Sequence, residues 1–104
     1  MTSFDNREAA FENRFAHDAE KNFRIAARRN RLVGDWAAGH LGLSGDAAEA
    51  YAKSIVAADL QEAGDEDVVR KLVADLASAG VDEAAIRARL VADAEAARQQ
   101  IEAE

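Results

Sequence analysis

The sequence predicts an all-α protein: a small four-helix bundle preceded by an N-terminal helical segment that is either flexible or docked. Three observations carry this. The 104 residues contain no proline, and helix-favouring Ala, Glu, Arg and Leu are abundant. No stretch alternates β-branched residues at a period of two, so no strand is expected. Apolar residues recur instead at spacings of three and four, and glycines punctuate the second half of the chain. The length suits one domain, divided into a segment at residues 1–18 and a helical body at 19–104.

In the first segment, Phe4, Phe11 and Phe15 fall at spacings of seven and four, on one helical face. Most other positions are polar or alanine. A helix of about 15 residues with three apolar anchors is marginal alone. It either docks on its own bundle or stays flexible and folds against a partner. The next helical pattern runs from about Phe23 to His40, with Ile25, Leu32, Trp36 and Leu41 or His40 near one stripe. The stretch Gly39-His40-Leu41-Gly42-Leu43 breaks it. Gly34 lies inside this pattern, where glycine costs about 1 kcal/mol relative to alanine. Close approach of a neighbouring helix explains it better than approach of a ligand, though both readings fit.

A helix from Ser44 to Gly64 follows, with Tyr51, Ile55, Val56 and Leu60 as bulk. Ala47, Ala48, Ala52 and Ala58 would let a neighbour come close. The next helix starts at Asp65, with Glu66 and Asp67 in its first turn, where the helix dipole favours negative charge. Val68, Val69, Leu72, Val73 and Leu76 form its stripe, and Gly80 ends it. The last helix, about 82–102, opens with a hydrophobic staple from Val81 to Ile86 across an Asp82 cap. Ile86, Leu90, Ala94, Ala97 and Ile101 make its stripe. The short connections between the later helices favour antiparallel neighbours.

The net charge of −7 is unevenly spread. Residues 21–34 hold Lys21, Arg24, Arg28, Arg29 and Arg31 with no acid, a +5 island. Residues 1–20 carry −3 and residues 35–104 carry −9. Arg24, Arg28 and Arg31 share a helical face that Lys21 extends, while Arg29 points elsewhere and Asn30 adds an amide. Guanidinium forks suit phosphate oxygens, and Trp36 or Phe23 would stack on a purine. The competing reading pairs these arginines internally with the acid-rich later helices. A mixed role also fits, in which a nucleotide competes with those carboxylates.

Catalytic and metal motifs are missing. Gly34 and Gly39 have the gap of a phosphate loop, but His40-Leu41 follows and no strand precedes, so the loop is rejected. Gly39, Gly42 and Gly45 do not match the dinucleotide fingerprint. His17 and Glu20 would offer one edge of a metal site with no third ligand at recognisable spacing. Asp65-Glu66-Asp67 lacks the glycine and distal Glu of a calcium loop and reads as helix capping. There is no cysteine, no Ser-His-Asp pattern and no HExxH, so no enzyme is expected. No apolar run approaches 20 residues, so no membrane insertion is expected. Met1–Glu8 lacks a basic region followed by an apolar one, so no secretory signal is expected.

Four segments carry a resemblance, in their order and spacing. They are Phe4-Asp5-Asn6-Arg7-Glu8, Phe15-Ala16-His17-Asp18-Ala19-Glu20, Ala27-Arg28-Arg29-Asn30-Arg31-Leu32-Val33-Gly34-Asp35-Trp36-Ala37-Ala38, and Glu62-Ala63-Gly64-Asp65-Glu66-Asp67-Val68. Together they resemble the zeta subunit family, the small natural inhibitors of the F-type ATP synthase of alpha-proteobacteria. The resemblance spans essentially the whole chain and is most specific in the arginine-rich segment. It implies a four-helix bundle that blocks ATP hydrolysis by the synthase's catalytic head, built of α, β and γ subunits. It further implies that residues 1 to about 18 enter an α/β catalytic interface. There Phe4, Phe11 and Phe15 would form an apolar wedge, and Arg7, Glu8, Glu12 and Arg14 would meet polar walls. It implies ADP or ATP as a regulatory ligand, no required cofactor, and a cytoplasmic place peripheral to the inner membrane through the synthase. The electrostatic reading assigns the nucleotide contacts to Arg24, Arg28, Arg29, Asn30, Arg31, Gly34 and Trp36. The alternative function is a small nucleic-acid-binding or adaptor protein using residues 21–34, against which the overall negative charge counts.

Overall fold

The computed structural model describes residues 2–59 and 64–104, with side chains from residue 18 onward. Four α-helices follow in order: α1 (Thr2–His40), α2 (Gly45–Asp59), α3 (Glu66–Leu76) and α4 (Glu83–Glu102). A 3-10 turn at Ala77–Ala79 extends α3. No strand occurs among the described residues. The all-α, four-helix expectation is therefore met. The side chains of Phe4, Arg7, Glu8, Phe11, Glu12, Arg14, Phe15 and His17 lie outside the described residues, as does Leu60.

The first helix is longer than the sequence pattern suggests. A separate helix from Phe23 was expected, but α1 runs unbroken through 39 residues. Residues 16–22, Ala-His-Asp-Ala-Glu-Lys-Asn, contain no glycine or proline, so nothing local breaks the backbone ladder. At 1.5 Å per residue the helix is about 58 Å long. It accounts for the 64 Å long dimension of a molecule only 25 by 20 Å across. It ends where Gly42 takes φ 73° and the Leu43 amide donates to the Ala38 carbonyl at 2.9 Å. A left-handed residue there satisfies a carbonyl that the helix leaves open, and glycine adopts that conformation without steric penalty.

The core joins all four helices through Val33, Ala37, Ile55, Val68, Val69, Leu72, Leu76, Ile86 and Leu90. Trp36, Leu41, Tyr51, Val73 and Val81 pack half-buried around it. On α1 the expected stripe of Ile25, Leu32 and Trp36 is displaced: those residues are half-buried, and Val33 and Ala37 go deepest. α1 has neighbours on two sides, α2 and α4, so its buried arc is wide and centres on its small residues. Gly34 shows why. A Cβ at this position would lie 2.6 Å from the Ala52 Cα, so α1 and α2 touch backbone to backbone. The alanine-rich face of α2 makes that approach possible. Helix packing is thus the observed reason for Gly34.

The stripe of α3 is buried as expected, at Val68, Val69, Leu72 and Leu76. On α4 the Asp82 side chain accepts the Ala85 amide at 2.8 Å, and Val81 and Ile86 both join the core region. Gly80 closes the preceding turn at φ 76°. One position of the α4 stripe shifts. Ala94 is half-buried and Asp93 is buried instead, accepting the Arg89 Nε at 3.0 Å. Asp65 also differs from expectation. It makes no side-chain cap for α3 and takes a guanidinium from α1. A charged donor at 2.9 Å holds a carboxylate more strongly than a neutral amide does.

Candidate functional site

The +5 island lies on α1 where that helix is flanked by α2 and α4. Helical geometry splits its arginines into two sets. Arg29 and Asn30 turn inward, and Arg24, Arg28 and Arg31 line the outer strip between the flanking helices.

The inward pair forms a closed polar knot. Arg29 is 9% exposed and Asn30 is 1% exposed, so both must satisfy their donors inside the protein. Arg29 Nε and Nη2 donate to the Asn30 Oδ1 at 3.1 and 2.8 Å. Arg29 Nη1 lies 2.9 Å from Asp65 and Nη2 lies 3.6 Å from Asp59. Asn30 Nδ2 donates to Asp59 at 2.8 Å. Among the described residues no buried side-chain polar atom lacks a partner. The knot ties the end of α2 and the approach to α3 onto α1.

The outward set borders an open groove of about 450 Å³, lined by Phe23, Arg24, Ala27, Arg28, Arg31, Lys53, Val56 and Ile101. Its size suits a small ligand. Four lining residues are cationic and none is acidic, while Phe23, Val56 and Ile101 supply apolar surface. Phe23 is 61% exposed, unusual for a large aromatic side chain. It stands seven residues before Asn30, hence on nearly the same face of α1, close to where α2 ends. Carboxylates stand at the groove's rim and pair with its cations. Arg31 meets Glu49 of α2, and Lys53 lies 3.9 Å from the same Glu49. Arg24 and Arg28 both meet Glu104 just beyond α4, Arg28 at 2.9 Å. Arg28 also donates to Gln100 at 3.0 Å, and Lys21 lies 3.6 Å from Glu102. The Arg28 and Arg24 guanidiniums hold the Glu104 carboxyl below the usual carboxylate range.

The seven residues assigned to a nucleotide on sequence grounds thus lie in four environments. Arg24, Arg28 and Arg31 are on the groove. Arg29 and Asn30 are in the knot, and Gly34 is under Ala52. Trp36 faces away from the groove, with Arg89 over its ring at 5.7 Å and His40 edge-on at 4.9 Å. Of the two stacking candidates, only Phe23 is at the groove. Lys53 and Val56 were not anticipated, because only the pairing of α1 with α2 brings them there. Among the described residues no cluster of three metal-ligating side chains occurs, and no helix is long and apolar enough to cross a membrane.

Three comparisons bear on what this arrangement belongs to. A family profile described as ATPase inhibitor subunit zeta matches residues 1–100. A protein whose structure was solved by solution NMR is 47% identical, covering 76% of this chain and 92% of its own, with a TM-score of 0.70. A search of curated proteins returned no match.

Proposed function

The chain belongs to the ATPase inhibitor subunit zeta family, and from that we propose that it is a regulator that suppresses ATP hydrolysis by an F-type ATP synthase. The supporting observation is the match over residues 1–100, which takes in the N-terminal segment as well as the bundle. In this reading the chain performs no catalysis. Residues 1–18 enter an α/β catalytic interface of the head, near the γ subunit, with Phe4, Phe11 and Phe15 as wedge and Arg7, Glu8, Glu12 and Arg14 toward polar walls. The bundle, residues 19–104, orients the segment. The continuity of α1 favours this, since a single helix links that segment to the bundle. The protein works in the cytoplasm, at the inner membrane only through the synthase.

The bundle also binds ADP or ATP as a regulatory ligand, at the groove. Phosphate oxygens meet Arg24, Arg28, Arg31 and Lys53, and the purine stacks on Phe23. Guanidinium forks match phosphate geometry, and an exposed aromatic ring beside them suits a base.

The experiment is ATP hydrolysis by the cognate catalytic head, with the full chain and with the chain lacking residues 1–18. The full chain is expected to lower the rate. The truncated chain, shown by circular dichroism to remain folded, is expected to leave the rate unchanged. Inhibition that survives the truncation overturns the assigned mechanism, and no inhibition by the full chain overturns the function.

A further inference from the structure

Glu104 occupies an unusual place. Arg24 and Arg28 stand one helical turn apart on α1, and both close on its carboxylate, while Gln100 takes a second donor of Arg28. One carboxylate at the groove's edge bridges two guanidiniums, as a phosphate would. The side chains are partly exposed, 50% for Arg24, 36% for Arg28 and 43% for Glu104. Exposed pairs of this kind are weak and exchange readily. The contrast with the rim at Arg31 is informative. Glu49 there meets one residue of α1, Arg31, and one of its own helix, Lys53, whereas Glu104 holds two arginines of α1 to the end of α4.

We propose that Glu104, at the edge of the groove, holds Arg24 and Arg28 in place of a ligand, and that a nucleoside diphosphate must displace it from them in order to bind. The proposal rests on the reading that the groove takes a nucleotide, and it adds how occupancy is regulated. A diphosphate offers more negative charge and more acceptor oxygens than one carboxylate, so it outcompetes Glu104 at sufficient concentration. The exchange has a mechanical consequence. With Arg24 and Arg28 turned to the ligand, the polar hold of the end of α4 on α1 is reduced to the Lys21–Glu102 contact, beside the apolar packing around Ile101. These contacts lie just C-terminal to residues 1–18 on the same continuous helix. Ligand binding and the freedom of that helix are therefore coupled, and the coupling is reciprocal.

The test is calorimetric titration of ADP at low ionic strength into the full chain and three variants, Glu104→Gln, Glu83→Gln and Arg28→Ala. Glu83 gives the same change of charge at the far end of α4, about 32 Å away along the helix and well beyond the screening length. All three side chains are partly exposed and none is in the core, so folding is expected to be retained and is checked by circular dichroism. Glu104→Gln is expected to bind ADP about fivefold more tightly. Glu83→Gln is expected to stay within about twofold of the native chain, and Arg28→Ala to bind more weakly. If Glu104→Gln binds no more tightly while Arg28→Ala weakens binding, the competition is overturned and the groove stands. Equal tightening in both glutamine variants is a general charge effect and overturns it too. No ADP binding in any variant, or no effect of Arg28→Ala, overturns the groove reading and the competition together.

Discussion

Arg28 and Arg29 are adjacent in the sequence and make different kinds of ion pair. Arg29 faces inward, is held among Asn30, Asp59 and Asp65, and connects three parts of the bundle. Arg28 faces outward, and its partners Gln100 and Glu104 are half in solvent. A hundred degrees of helical rotation separates a structural arginine from an exchangeable one. Breaking a buried pair leaves a stranded charge, whereas breaking an exposed one lets water take over. Charge clustering in a sequence therefore does not define a binding site. Only the outward-facing members are placed to change partners.

Arg29→Ala is the severest test of this contrast. Removing the guanidinium leaves the Asp59 carboxylate without its countercharge and the Asn30 Oδ1 without its donors, and stability is expected to fall by about 3 kcal/mol, read from the urea midpoint. Arg28→Ala should move the same midpoint by about 0.5 kcal/mol at most. Equal losses would erase the distinction between knot and rim.

Gly34→Ala comes next. Helix propensity alone would raise stability by about 1 kcal/mol. The Ala52 Cα at 2.6 Å from the new Cβ reverses the sign, and a net loss of about 2 kcal/mol is expected in thermal unfolding. A stabilised variant would show that α1 and α2 can move apart without penalty.

Tyr51 gives a smaller effect and a pH signature. It is the single tyrosine, and its hydroxyl donates to Asp75 at 2.8 Å. Burial first, then that hydrogen bond and the Asp75 charge, push its pKa well above the ordinary tyrosine value. A pKa raised on folding favours the protonated form, so the contribution is complete below pH ~10 and is lost as pH rises beyond it. Phenolate absorbance should therefore stay absent from the folded protein at pH values where a free tyrosine has ionised. Tyr51→Phe is expected to cost about 1 kcal/mol at neutral pH and to flatten the alkaline decline. Ionisation at the ordinary value would contradict the contact with Asp75.

Much of the fold was legible in the chain. The staple of Val81 and Ile86 across Asp82, the α3 stripe and the stop at Gly80 follow from local rules, because each depends on residues within a few positions. The register of α1 did not follow. A periodic stripe marks the buried face of a helix with one neighbour, and α1 has two, so Val33 and Ala37 displaced Ile25 and Leu32 from the deepest positions. Asp93 in place of Ala94 has a similar origin, since Arg89 can reach and neutralise it. The basic island was evident from composition, but its division was not. Arg29 finds Asp65 across 36 positions and Arg24 finds Glu104 across 80. Lys53 and Val56 reach the groove only through the close crossing at Gly34 and Ala52.

The most direct measurement on the division between rim and knot is an ADP titration of isotope-labelled full chain followed by amide and arginine side-chain resonances. The expected result is movement at Phe23, Arg24, Ala27, Arg28, Arg31 and Lys53, with the Arg29 and Asn30 side-chain signals nearly still. Shifts confined to residues 65–104, or led by Arg29 and Asn30, would contradict it.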